Sequence, residues 1–492
     1  MKYKALGMAM AALMLVCALA AAAFEAEEEV HRVHQHLTAR GPEEGCGCDG
    51  SELCTHLPLV ILDTGGQVIP GKVTGEKDRF GEELSTLAPD GRDVIEAELS
   101  IIDNQDRNNH PSDQPAVTTI SEIRVRGHAS RHFEKAPYRL NFVDENGEDQ
   151  ALSVMGMSAH SDWVLYGPYL DKSLVRNYMW YNISGQIMEW APNVRYCELI
   201  LDGEYQGLYM MVETITNGSD CRLDLSDEVY GTSVTGYLLR GDRTTEEDLD
   251  GIRDIYSYLE RTLTLQTDVS IRYPKRSALT EELRQQIELD YAAFEKALYS
   301  YDHDTDEYGY WNWIDEKNFV DYYIINEFSL NADAGRYSTY LYKDMSGRYK
   351  LAVWDFNNAC DNFPDDELGT EVLTLTGKHW FFMLFKSERF VERVLERYEE
   401  LRAGVLSEEY LKGYIDETLA YLGPAVERNN RRWSQAMTEW EPLSPQDRNL
   451  YSHEEAVQQL KDWLCERGSW LDDNLHTIQQ YAHPSRNKTY NH

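Results

Sequence analysis

The chain has 492 residues, 42% hydrophobic and 27% charged, enough for a large core and for about three domains. Its 85 acidic residues outnumber its 47 basic ones, and the net charge of −38 repels phosphate backbones and anionic lipid, which argues against nucleic-acid binding and peripheral membrane docking. Only one stretch approaches a spanning length, so a polytopic membrane protein is excluded.

Met1 to Lys4 is a short basic start, Ala5 to Phe24 is apolar, and small residues crowd Ala20 to Ala23 before Glu25. Residues 1–23 therefore read as a secretory signal peptide, with an uncleaved anchor as the alternative. Either way the body lies outside the cytoplasmic membrane, secreted or at the cell surface. Residues 24–56 form a Cys/His-rich leader or linker. Removing Cys17 from the eight cysteines leaves an odd number, so one thiol is unpaired, intermolecular or metal-bound. Cys46, Cys48, Cys54 and His56 suit either a disulfide within the cluster or a structural zinc ion.

Strand-like runs follow at Leu57 to Leu62, Val94 to Ile102, Ile120 to Arg126 and Tyr138 to Val143, so the N-terminal part is β-rich. Asp171 to Trp190 has helical spacing, with Asp171 as its N-cap. Val194 to Leu201 and Tyr205 to Val212 flank Asp202-Gly203-Glu204 and predict a hairpin. Ser233 to Arg240 is a further strand. Glu281 to Tyr299 and Asp315 to Leu330 are amphipathic helices, and Ser387 to Tyr481 reads as about four more. The fold class is α+β.

The stretch that carries chemistry is Asn326 to Phe363. A helix ends near Leu330, then Ser338 to Tyr342 and Tyr349 to Trp354 flank the turn Asp344 to Gly347. Strands of a hairpin run antiparallel, so Asp333 before the first and Asp355 after the second meet at one end, with Asn357 and Asn358 beside them. Two acids with amides suit a divalent metal and phosphate site.

Several ordered motifs in this chain resemble the CotH kinase family, named after a bacterial spore-coat protein. They are Asn326-Glu327, Asn331-Ala332-Asp333, Ser338 to Tyr342 and Trp354-Asp355-Phe356. Upstream stand Arg126 to Ser130 with Lys135 to Arg139, Asp162 to Leu165 with Asp171 to Asn177, and Glu198-Leu199 with Asp202 to Tyr209 and Val212-Glu213. The resemblance spans roughly residues 120 to 480 and implies a divergent two-lobed protein-kinase-like fold, with a β-rich N-terminal part and a helical C-terminal part. It divides the chain into a β-rich segment at 57–119, a kinase core at 120–385, a helical extension at 386–482 and a polar tail at 483–492.

The resemblance also implies roles. Asp333 is the catalytic acid, and Asp355 holds Mg²⁺ or Mn²⁺ against ATP with Asn357 and Ser338. Gly127, Ser130 and Arg131 belong to the phosphate-covering loop. Lys135 or Arg139 supplies the phosphate-binding cation, and Val212 and Glu213 lie beside the adenine. Two departures stand out: Ser338 sits where a kinase places its metal-binding Asn, and Asn357 where the family often has a second acid. The implied reaction is transfer of the ATP γ-phosphate to Ser or Thr hydroxyls of proteins, coat or surface proteins among them, in a spore coat or at the cell surface. Two other classes fit the sequence: a pseudokinase scaffold, and a cell-wall glycan-binding protein that uses the exposed aromatics.

Overall fold

The computed structural model describes residues 40–42, 46–77, 81, 83–218, 223–226, 235–243, 252–259 and 268–484. The expected signal segment, most of the leader and the tail from residue 485 lie outside the described residues. Among the described residues no helix is long and apolar enough to cross a membrane.

The β-rich part is a closed seven-stranded barrel. Its strands are β1 (Leu59–Asp63), β2 (Ile95–Ile102), β3 (Val117–Val125), β4 (Tyr138–Val143), β5 (Asp162–Tyr166), β6 (Val194–Leu201) and β7 (Glu204–Glu213). The order is β1-β6-β7-β5-β4-β3-β2, and β1 closes the ring by pairing parallel to β6 and antiparallel to β2. Burial alternates along β3, as its sequence pattern requires of a strand with one face inward. The β6–β7 hairpin turns at Asp202 (φ +49°) and Gly203 (φ +79°), the two left-handed positions a tight Asp-Gly turn needs. The barrel takes strands from both sides of residue 119.

A five-stranded sheet follows, with β8 (Tyr237–Asp242), β9 (Asp254–Ile255), β10 (Asp268–Tyr273), β11 (Thr339–Lys343) and β12 (Lys350–Ala352) in the order β9-β10-β8-β11-β12. The helices are α1 (Arg176–Ile187), α2 (Glu281–Leu298), α3 (Glu316–Ser329), α4 (His379–Leu384), α5 (Glu388–Arg402), α6 (Glu408–Leu422), α7 (Pro424–Arg432), α8 (Ser434–Thr438) and α9 (His453–Asn474). Thr280 and Asp315 cap α2 and α3 through their side-chain oxygens.

Helix α1 starts five residues later than its sequence pattern suggests. Leu174 is left-handed at φ +66°, which breaks the helix before Arg176. Val175 occupies the N-cap position that the sequence pattern gives to Asp171, and Asp171 reaches the first helical N–H from outside the helix. Its carboxylate accepts from Ser173 N–H, Arg176 N–H and the Arg176 guanidinium, and both charged side chains are buried.

Helix α3 is buried all round, unlike the one-sided stripe its sequence suggests. Each acid on it meets arginines from the C-terminal helices. Glu316 pairs with Arg389 and Arg393, Asp321 with Arg397, and Glu327 with Arg467 at 3.1 Å. Glu327 also accepts the backbone N–H groups of Thr374 and Leu375. Removing one partner of such a buried pair strands the other charge. Arg467→Leu is expected to lower stability by about 3–5 kcal/mol, read as an earlier urea midpoint. An unchanged midpoint would show that the pair does not hold α9 on α3.

Candidate active site

The β11–β12 hairpin brings Asp333 and Asp355 together. Asn331, two residues before Asp333, donates its amide to the Asp355 carbonyl at 3.1 Å, and Asn358, three residues after Asp355, donates to Asp333 Oδ2 at 3.1 Å. The Asn357 amide in turn donates to Asn358. The amide oxygens of Asn331 and Asn357 are buried and accept no hydrogen bond among the described residues.

Asp355 stands at φ +58°, a conformation that a residue with a Cβ adopts at a cost of roughly 1–3 kcal/mol. Helix α1 holds it there. The Asp355 N–H donates to the Tyr181 hydroxyl at 3.1 Å, and the Phe356 N–H donates to Asn177 Oδ1 at 2.7 Å. Arg176 donates to the carbonyls of Ala359 and Cys360 at 3.0 and 3.1 Å. Trp180, Tyr181 and Phe356 pack ring against ring round the same turn. The Arg176-Asn177 dipeptide is therefore a holder of the Asp355 loop.

Burial raises the pKa of both acids. Asp355 is pushed up to about 6, against the pull of Arg126 and with the help of Asp333. Burial raises Asp333 too, opposed by Arg243 and by the Asn358 hydrogen bond. Three cations ring the pair. Arg126 lies 5.7 Å from the centre of the Trp354 ring, Arg243 is 4.0 Å from Asp333 Oδ1 and stacks on Tyr337, and Lys378 donates to the carbonyls of Ala332 and Ala334. Asp242, at the end of β8, adds a third negative charge near both aspartates.

The other residues singled out from sequence are distributed as follows. Ser338 (φ +47°) immediately precedes β11 on the Asp333 side of the hairpin. Gly127 (φ +99°) opens the turn after β3, where an added Cβ would lie 2.0 Å from Ser130 Oγ. Arg131 donates Nε to the His128 carbonyl within that turn and its terminal nitrogens to Ser85 and the Glu83 carbonyl. Lys135 is buried, donates to Asn429 on α7 at 2.7 Å and lies over the Tyr209 ring; burial drives its pKa well down. It faces that cluster rather than the two aspartates. Arg139 grips Asp162 with two hydrogen bonds of 2.9 and 3.2 Å. Val212 pairs with Val164 and Val194 inside the barrel wall, and buried Glu213 accepts from the Asn193 backbone and amide. Cys46, Cys48 and Cys54 converge, but His56 turns instead to the Tyr421 carbonyl.

Sequence reasoning did not single out Arg126, Asp242, Arg243, Tyr181 or Lys378. Arg126 was in view only as the first letter of a motif. Asp242 and Arg243 stand two and three residues beyond the strand expected to end at Arg240.

The CotH kinase protein family model matches residues 123–471. The chain belongs to the CotH kinase family. No curated protein matches it. The matched region holds every residue of the Asp333/Asp355 centre named above, and membership suggests an atypical kinase that uses ATP.

The raised pKa of Asp355 makes its charge a cost to folding. An acid whose folded pKa lies above its unfolded value of about 3.9 favours the native state at low pH and loses that contribution as pH rises through the folded pKa. Asp355→Asn is thus expected to stabilise the chelator-treated protein at pH 7.5 by on the order of 2 kcal/mol, with the gain fading as pH falls from about 6 to about 4. Urea midpoints across that range check it. A destabilised variant at pH 7.5 would contradict the assignment.

Proposed function

We propose that the chain is an exported atypical protein kinase that transfers the γ-phosphoryl group of ATP to Ser or Thr hydroxyls of proteins. The observation that carries the reading is the pairing of Asp333 with Asp355 at one end of the β11–β12 hairpin, inside the region matched by the kinase family.

The order of elements supports it. A strand (β3), a glycine turn, two strands (β4 and β5), a helix (α1) and a hairpin precede the acids, which is the order in which a protein kinase presents its phosphate loop, lysine strand and following helix. A divergent two-lobed kinase fold follows, with the barrel as one lobe and the helices as the other. The divergence lies in the cation. β5 (DWVLY) carries no lysine, and α1 (RNYMWYNISGQI) carries no acid to pair with one. We assign the phosphate-facing charge to Arg126, beside Trp354 and within the field of Asp355, rather than to Lys135 or Arg139, whose polar groups are already engaged. Gly127 and Ser130 then offer the backbone of the phosphate loop, while Arg131 fastens it to the ribbon at Glu83–Ser85.

The donor set fits a hard divalent cation. Asp355 supplies a carboxylate, Asn357 a buried amide oxygen that accepts no other bond among the described residues, and Ser338 a hydroxyl. Asp355, Asn357 and Ser338 would hold Mg²⁺ or Mn²⁺ there, and the cation would supply charge neutralisation for the phosphate oxygens. Asp333 accepts the proton of the attacking hydroxyl as the new oxygen–phosphorus bond forms and the bond from the γ-phosphorus to ADP breaks. Its raised pKa suits it to hold a proton briefly. Arg243 and Lys378 oppose that rise and favour the charged form of Asp333. The secreted or surface location rests on residues 1–23 alone.

Incubating the purified chain with γ-labelled ATP, Mg²⁺ or Mn²⁺ and protein acceptors is expected to transfer label. Asp333→Ala and Asp355→Ala should each lose roughly 10³-fold or more, and Arg126→Ala about 10- to 100-fold. Affinity for Mg²⁺ or Mn²⁺ should rise as pH climbs through about 6, because the cation competes with a proton for Asp355. Nucleotide bound without transfer would make the chain a pseudokinase. No nucleotide bound at all would remove the kinase reading and leave a scaffold.

A further inference from the structure

A second cluster of chemical groups lies away from the two aspartates, on the segment that leads into the barrel. One donor atom each from Cys46, Cys48, Cys54 and His110 lies within 4.8 Å of all the others. Cys46 Sγ and His110 Nε2 are 3.5 Å apart. Around a tetrahedral zinc ion with Zn–S near 2.3 Å and Zn–N near 2.0–2.1 Å, neighbouring sulfur and nitrogen ligands stand about 3.5 Å apart. We propose that Cys46, Cys48, Cys54 and His110 bind a structural zinc ion that fastens the N-terminal segment to the barrel.

The surroundings of the ligands argue for a metal. His110 turns Nε2 toward the cysteines and Nδ1 toward Asp113 Oδ2 at 3.3 Å. That is the carboxylate–histidine arrangement that fixes the ring of a metal-bound histidine. Asp113 is itself held by the His110 backbone N–H at 2.9 Å, by the Asn104 amide at 2.9 Å and by Arg107 at 3.1 Å. Asn108 donates its amide to Cys54 Sγ at 3.1 Å, a contact that stabilises a thiolate. Thr55 and Asn109 exchange two backbone hydrogen bonds, so the two ligand-bearing segments are already docked.

A disulfide explains less. It would use two of the three sulfurs and leave the third thiol and the oriented histidine without a purpose. Three sulfurs and an imidazole are also soft and borderline ligands, which select zinc over the hard cations proposed for the aspartates. Four protein ligands close the coordination sphere, so the ion is structural rather than catalytic. Its place explains its use. Leu57 stands three residues after Cys54, its carbonyl accepts from Asn109, and β1, the strand that closes the barrel, begins two residues later. The next anchors along the segment, His56 to Tyr421 and Thr55 to Arg428, tie it to α6 and α7. The proposal stands independently of the kinase reading.

The test is metal content of the full purified chain, reduced, zinc-loaded and passed over a desalting column. One zinc per chain is expected, and Co²⁺ in its place should show tetrahedral ligand-field bands with sulfur-to-cobalt charge transfer. His110→Ala should retain less than a fifth of the zinc, whereas His110→Cys and His56→Ala should keep it, which separates ligand loss from misfolding. Zinc absent from the reduced wild-type chain, zinc retained in His110→Ala, or equal losses in His56→Ala and His110→Ala would each overturn the proposal. So would an intact mass showing that two of the three cysteines remain disulfide-bonded after zinc loading.

Discussion

The guanidinium of Arg176 holds together what the rest of the site depends on. It is buried beside Asp171, and it donates in addition to two carbonyls of the loop after Asp355 and to Gln459 on α9. One planar cation thus joins the entry to α1, the turn that carries Asp355 and the last long helix. Burying an ion pair is expensive unless every donor is satisfied, and a pair broken on one side is worse than none. Here Asp171 accepts from two backbone or hydroxyl groups of Ser173 and from the Arg176 backbone as well, so both charges are well solvated by protein. The neighbouring Asn177 and Tyr181 then reach the backbone of the same turn. A strained φ at Asp355 persists only where its surroundings over-determine it, and α1 supplies three such restraints in two helical turns.

The electrostatics of the centre run against those of the chain. A molecule with a net charge of −38 repels a nucleotide at long range. Around the aspartates that excess is offset by Arg126, Arg243 and Lys378, which come from the end of β3, the end of β8 and the start of α4 and match the three carboxylates of Asp242, Asp333 and Asp355 in number. These three positions are far apart in sequence and meet only because the barrel, the five-stranded sheet and the helices converge at the hairpin. The same cations lower the cost of holding Asp333 and Asp355 close together. They do not remove it, since burial still pushes both acids up.

What the sequence made legible was local. The pairing of Asp333 with Asp355 follows from the spacing of one hairpin, and the β6–β7 turn follows from Asp202-Gly203. Helix α1 starts later than its sequence pattern because a left-handed Leu174 breaks that pattern, and no composition rule marks a leucine for that conformation. The stripe expected on α3 dissolves because that helix is enclosed on all sides and its acids are neutralised by arginines from α5 and α9. Barrel closure through the parallel β1–β6 pair is a non-local event that strand patterns do not encode. The same holds for His110. His56 is nearer to Cys54 in sequence, yet a loop between β2 and β3 delivers the imidazole that faces the sulfurs, and His56 is taken by Tyr421.

The choice between an enzyme and a scaffold can be argued from where the structure accepts instability. A protein kept for its shape gains nothing from an acid held at a left-handed φ, raised toward a pKa of about 6 and placed beside a second buried acid. An asparagine at 355 would keep the turn and remove the charge, and a hydrophobic residue at 333 would remove the repulsion. On α3 the buried acids are matched closely: Glu316, Asp321 and Glu327 each have their arginine within 3.1 Å. At the hairpin the nearest cation to Asp333 stands at 4.0 Å, and two buried amide oxygens beside it accept no bond among the described residues. Unspent acceptors and under-neutralised acids gathered at one point are what a site needs if a cation and a phosphate are to complete it. That gathering of under-neutralised acids and open acceptors, set against the matched acids of α3, favours a working centre over a relic.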